Sequence, residues 1–88
     1  MSVVGAWQNP DGGERVDFTA DGAMRVSLAG ESLTAQRYVA EDNGAGAGRL
    51  ILRTEGSDKQ VVMGYCVSPD VLAMSYGGHT SIYVRVRQ

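Results

Sequence analysis

Seven clusters of turn-forming residues cut the chain into eight short runs. They are Asn9-Pro10-Asp11-Gly12-Gly13, Asp21-Gly22, Gly30-Glu31, residues 42–48, Gly56-Ser57-Asp58, Ser68-Pro69-Asp70 and Gly77-Gly78. Glycine, asparagine and aspartate tolerate positive φ and proline pre-sets a turn, so each cluster ends the regular structure before it. Turns recurring every ~8–12 residues mark an all-β sandwich or barrel.

Between the turns, polarity alternates. Val16 and Phe18 oppose Arg15 and Asp17; Met24, Val26 and Leu28 oppose Arg25 and Ser27. Leu50 and Leu52 share a face opposite Arg49, Ile51 and Arg53. In the last run the pattern assigns Ile82, Val84 and Val86 to the apolar face, and Tyr83, Arg85 and Arg87 to the wet one. One apolar and one wet face is the pattern of an antiparallel sheet solvated on one side. The run VVMGYCV, residues 61–67, is apolar on both faces and is expected to lie under a partner. No run carries a helical stripe. Short connections join neighbouring antiparallel strands, so the expected fold is all-β, an up-and-down meander of about eight short strands. Closing the first strand on the last removes two exposed edges and gives a small barrel. The alternative is a half-barrel that buries its apolar face against a second copy.

A chain of 88 residues is one domain, 1–88, with a thin core. Cys66 is the only cysteine and His79 the only histidine, so neither an internal disulfide nor a four-ligand zinc site supports it. Self-association remains, and a homodimer is expected. The formal charge of −2 and scattered basic residues disfavour nucleic acid as a partner. The N-terminus lacks a signal-peptide pattern and no apolar run reaches membrane-spanning length, which points to a cytoplasmic protein without membrane contact. Seven arginines against one lysine suggest a bacterium of high GC content.

The triplet Gly44-x-Gly46-x-Gly48 invites comparison with a phosphate-binding loop. Such a loop follows a strand and opens a helix, whereas these glycines precede the strand-like RLILRTE. Glu41 and Asp42 would also repel a phosphate. A slack hairpin connection, the longest in the chain, is the expected role.

Catalytic chemistry lacks a constellation. His79 has Ser75, Tyr76, Thr80 and Ser81 nearby, with Asp70 as a conceivable orienting acid, but a histidine after two glycines is usually a turn residue or ligand contact. Cys66 sits in the most apolar run and is expected to be a buried small hydrophobe. No metal or cofactor is implied. The suggestive set is Tyr38, Tyr65, Tyr76 and Tyr83 with Met24, Met63 and Met74, ring and thioether types that fill a core, an interface or a pocket. Tyr38, Tyr65, Met74, Tyr76 and His79 are the candidate ligand-binding residues.

The segments GAW (5–7), FTADGAMRV (18–26), DVLAMSYGG (70–78) and YVRV (83–86) together resemble the small lipocalin-like, calycin-type barrels. The resemblance spans the chain. It implies a Gly-x-Trp first strand at the closed end of a barrel, with an arginine of the last strand, Arg85 or Arg87, over Trp7. It also implies a carrier of a small apolar ligand as the alternative to a non-catalytic, self-associating interaction module.

Overall fold

The computed structural model describes residues 2–54 and 56–86. The eight runs become β1 (Gly5–Gln8), β2 (Glu14–Phe18), β3 (Ala23–Leu28), β4 (Glu31–Asp42), β5 (Ala47–Thr54), β6 (Gln60–Val67), β7 (Val71–Tyr76) and β8 (His79–Arg85). Each strand pairs antiparallel with the next, and β1 pairs with β8, so the meander closes into a barrel rather than a half-barrel. No helix occurs among the described residues. Every expected turn cluster separates two strands.

Residues 42–48 are not the long slack loop the glycines suggested. β4 runs to Asp42 and β5 starts at Ala47, leaving a four-residue turn closed by the Asn43 N–H donating to the Ala47 carbonyl at 2.8 Å. Gly48 lies inside β5, where a Cβ would fall 1.8 Å from the Glu41 carbonyl oxygen. Its glycine is required by the close approach of the two backbones, and not by flexibility.

The inner wall holds Trp7, Val16, Phe18, Met24, Leu50, Leu52, Tyr65, Val67, Leu72, Met74 and Tyr83, with Val3 packed beneath them from the N-terminal segment. Trp7, Leu50 and Leu72 have no exposed surface. Burying each such side chain stabilises the fold by about 2–3 kcal/mol. Phe18 and Tyr38 meet edge to face at 5.0 Å, worth about 1 kcal/mol more.

Two expectations reverse. In β8 it is Tyr83, 5% exposed, that points inward, while Ile82 and Val84 are 47% and 41% exposed on the outer wall. Tyr83 pairs with Leu72 and Arg85 with Trp7 across the ladder, and a large ring plus a guanidinium stacked on indole outweigh two small aliphatic groups. In β6, Tyr65 and Val67 occupy the core, so Cys66 between them is exposed instead of buried.

The seam between β1 and β8 is short, with only Trp7↔Arg85 and Gln8↔Val84 in register. Arg85 fastens it. Its guanidinium carbon lies 4.2 Å from the Trp7 ring centroid, the contact the lipocalin resemblance implies; Arg87 lies outside the described residues. Arg85 Nε donates to the Pro69 carbonyl at 2.7 Å and Nη1 to the Val4 carbonyl at 3.2 Å. The Trp7 indole N–H donates to the Val3 carbonyl at 2.8 Å, so the N-terminal segment folds under this end. One row further along, the Tyr83 hydroxyl donates to the Glu14 carboxylate across β1.

Gly5 completes the arrangement, since a Cβ there would lie 2.6 Å from Arg85 Nη1 and its φ is +134°. Removing the guanidinium in Arg85→Ala is expected to cost about 2 kcal/mol and lower Tm by roughly 10 °C. Gly5→Ala should cost a comparable amount, through backbone strain at φ +134° as well as by displacing the same group. Because both act on one contact, the double variant should lose less than the sum of the two, as read by thermal unfolding.

Candidate functional site

The five sequence-derived candidates do not form one site. β4 and β6 bring Tyr38 and Tyr65 to the Trp7 end of the barrel, whereas Tyr76 and His79 face each other across the β7–β8 hairpin at the opposite end. Met74 lies between, buried in the core opposite Tyr65 and Ser81. Asp70, in the β6–β7 turn, and His79, at the start of β8, are at opposite ends of the barrel, so the acid considered for orienting the histidine is not beside it. Ser75 and Thr80 hydroxyls bond each other at 3.1 Å on the outer wall.

Tyr38 and Tyr65 line a cleft of about 390 Å³ at the Trp7 end, together with Val3, Ala40 and Asp42. β4 is responsible. Its pairing with β3 stops at Arg37, so residues up to Asp42 continue alongside β5 alone and overhang the barrel mouth. The Tyr38 hydroxyl donates to the Thr19 carbonyl at 2.7 Å, and the Tyr65 hydroxyl to Asp42 Oδ2 at 3.1 Å. The Gly44 N–H, and then the Tyr65 hydroxyl, hold the Asp42 carboxyl below the usual range. It is therefore charged at neutral pH. Burial pushes the Tyr38 and Tyr65 phenols upward, with the Asp21 and Asp42 charges adding to it. Burial first, then the Glu14 carboxylate, pushes Tyr83 up furthest.

The outer wall carries a feature that alternation alone did not predict. Three cross-strand rows cover β6 to β8: Gly64–Ser75–Thr80, Cys66–Ala73–Ile82 and Val71–Val84. None of these positions is charged, and Ile82, Val84 and Val71 are large exposed aliphatics. The outward positions of β2 to β5 instead carry Arg15, Asp17, Arg25, Arg37, Glu41, Arg49 and Arg53. The two-sided apolar run 61–67 was the signal for this patch. Requiring Arg85 over Trp7 would have placed Ile82 and Val84 in it as well.

Comparison with protein-family models, with curated proteins and with solved structures finds no match.

The three raised tyrosines fix how the barrel responds to alkali. A group whose folded pKa exceeds its unfolded value of 10.0 contributes stability that is complete below that pH and is lost as pH rises through the folded value. Tm should therefore hold up to about pH 10 and fall beyond it. Tyrosinate absorbance should rise together with loss of near-ultraviolet dichroism, and Tyr83→Phe should shift that transition to higher pH.

Proposed function

We propose that the chain is a lipocalin-like, non-catalytic interaction module that self-associates through the outer wall of β6 to β8. The observation that carries this reading is the uncharged patch centred on Cys66, Ala73 and Ile82. An antiparallel sheet that faces water ordinarily presents polar side chains there, and contiguous exposed apolar surface marks an interaction site. Gly64 and Ala73 keep the patch low, so a second sheet can approach to the ~10 Å spacing of stacked sheets. A neutral patch meets its own copy without like-charge repulsion. A thin core lacking a disulfide also gains from burying this surface. The exposed Cys66 thiol suits a reducing, cytoplasmic setting.

Sedimentation at tens of micromolar should show a dimer that Ile82→Arg converts to a monomer with unchanged circular dichroism, because two-fold pairing brings the new charge against its copy. Cys66 should react with maleimide more slowly in the dimer than in the I82R monomer. A wild-type monomer at that concentration, with freely reactive Cys66, would refute the reading.

The cleft at the Trp7 end is the observation behind a second reading, carriage of a small ligand with an apolar body, since its volume falls within the range of ligand sites and Val3, Ala40 and two tyrosines line it beside the Asp42 carboxylate. In that case an apolar naphthalene-sulfonate dye should gain fluorescence on binding, and Ala40→Trp, which fills the cleft, should abolish the gain. A gain unaffected by A40W would place the dye elsewhere.

A further inference from the structure

A different part of the outer wall is electrostatically unbalanced. The register of β4, β5 and β6 lays down parallel rows of side chains, each row spanning the three strands. In one row Glu41 stands opposite Arg49, and the two form a salt bridge. Two rows away Arg37 stands opposite Arg53, with Gln60 next to them on β6. Like charges directly opposite on a sheet repel. Among the described residues, salt bridges join Arg15 to Asp17 and Arg49 to Glu41, but none joins Arg37 or Arg53 to an acid. Arg37 Nη2 donates to the Asp21 main-chain carbonyl, and the Asp21 carboxylate feels its charge, so the unbalanced member of the pair is chiefly Arg53.

Between the two rows lies an apolar one. Val39, Ile51 and Val62 are neighbours across β4, β5 and β6, and Val39 and Val62 are 58% and 47% exposed. Arg37, Val39, Ile51, Arg53 and Gln60 line a shallow cleft of about 210 Å³. Two guanidinium groups at one side of a short β-branched floor form a head-and-tail arrangement. The forks match a carboxylate, which they can hold with paired N–H···O bonds, and the floor matches a few methylenes.

We propose that this cleft binds a small amphipathic carboxylate, its head between Arg37 and Arg53 and its chain across Val39 and Ile51. Such an anion cancels the repulsion that the folded chain otherwise carries, so the arrangement that weakens the empty barrel is the one that favours the ligand. The site reaches β6 at Gln60 and adjoins Val62, the next outward position before Gly64, but its arginines stand on β4 and β5, and Arg53→Gln alters none of Cys66, Ala73 and Ile82.

The test is amide chemical-shift titration of the full chain with hexanoate, with 1-hexanol and with inorganic phosphate, alongside thermal unfolding of Arg53→Gln without ligand. Hexanoate should shift the Val39 and Ile51 amides saturably, while hexanol and phosphate should not saturate. R53Q should weaken hexanoate binding at least tenfold. Its own Tm should equal or exceed that of the wild type, which a purely structural arginine would not allow. Equal binding of hexanol would reduce the cleft to an apolar patch, and equal binding of phosphate to a bare cationic one; either overturns the proposal. Undiminished hexanoate binding by R53Q, or a lowered Tm in that variant, overturns it as well.

Discussion

The barrel depends on one arginine at its seam. β1 is four residues long and pairs with β8 at two positions, with one further backbone bond from the Val86 N–H to the Ala6 carbonyl. Arg85 adds to these by touching three separate segments: the indole of β1, the carbonyl of Val4 before it, and the carbonyl of Pro69 in the β6–β7 turn. The contact also dictates its neighbours. Gly5, at φ +134°, holds a backbone conformation that side chains rarely adopt and leaves room beside the guanidinium, and Trp7 presents its face, which leaves its N–H free to bind the Val3 carbonyl and draw in the N-terminal segment. A chain of this size has no disulfide to close the loop from first strand to last. A cation on an aromatic face, held by two carbonyls, takes that place.

What could be read from the sequence was the part decided locally. The turn clusters act through backbone preference within four or five residues, and all seven mark real strand boundaries. Strand faces were legible wherever one side was plainly polar, as in ERVDF with Val16 and Phe18 inside. In SIYVRVR both sides are partly apolar, so alternation cannot choose, and the choice falls to Trp7 more than seventy residues away. Taking the aliphatic face as core was therefore wrong for Ile82 and Val84. The same ambiguity hid Cys66, whose run is apolar on both sides. The lipocalin resemblance, by placing an arginine of the last strand over Trp7, contained the correction for β8 that alternation lacked.

The candidate site was less legible because it depends on register. Tyr76 and His79 pair through a two-residue hairpin and were locally foreseeable, but they stay at the end opposite Tyr38 and Tyr65. The Arg37–Arg53 opposition was invisible for a specific reason. It follows from the four-residue turn 43–46 and the pairing of Asp42 with Gly48; a slack loop over 42–48 leaves that register open. A slip of one residue would pair Arg53 with Gln36 or Tyr38 and turn it to the inside of the barrel. Gly48 pins it, since the Glu41 carbonyl occupies the space where any other side chain would begin.

An eight-stranded barrel of short strands is just wide enough for its own side chains. Here Trp7, Leu50 and Leu72 are wholly enclosed, with Val16, Phe18 and Tyr83 filling the wall around them. Binding surface must then come from the rim or from the outside, and the outside is unevenly furnished. From β6 to β8 it is neutral and low; from β3 to β5 it is charged, with its arginines only partly matched by acids. Closure makes the curved wall carry these two characters in different directions. A protein surface used only to stay dissolved would mix them, because mixed charge costs least in repulsion and exposes the least contiguous apolar area. The uncharged rows of β6 to β8 depart from that mixing, whereas the charged stretch keeps it, with Val39 and Ile51 between the Glu41–Arg49 and Arg37–Arg53 rows.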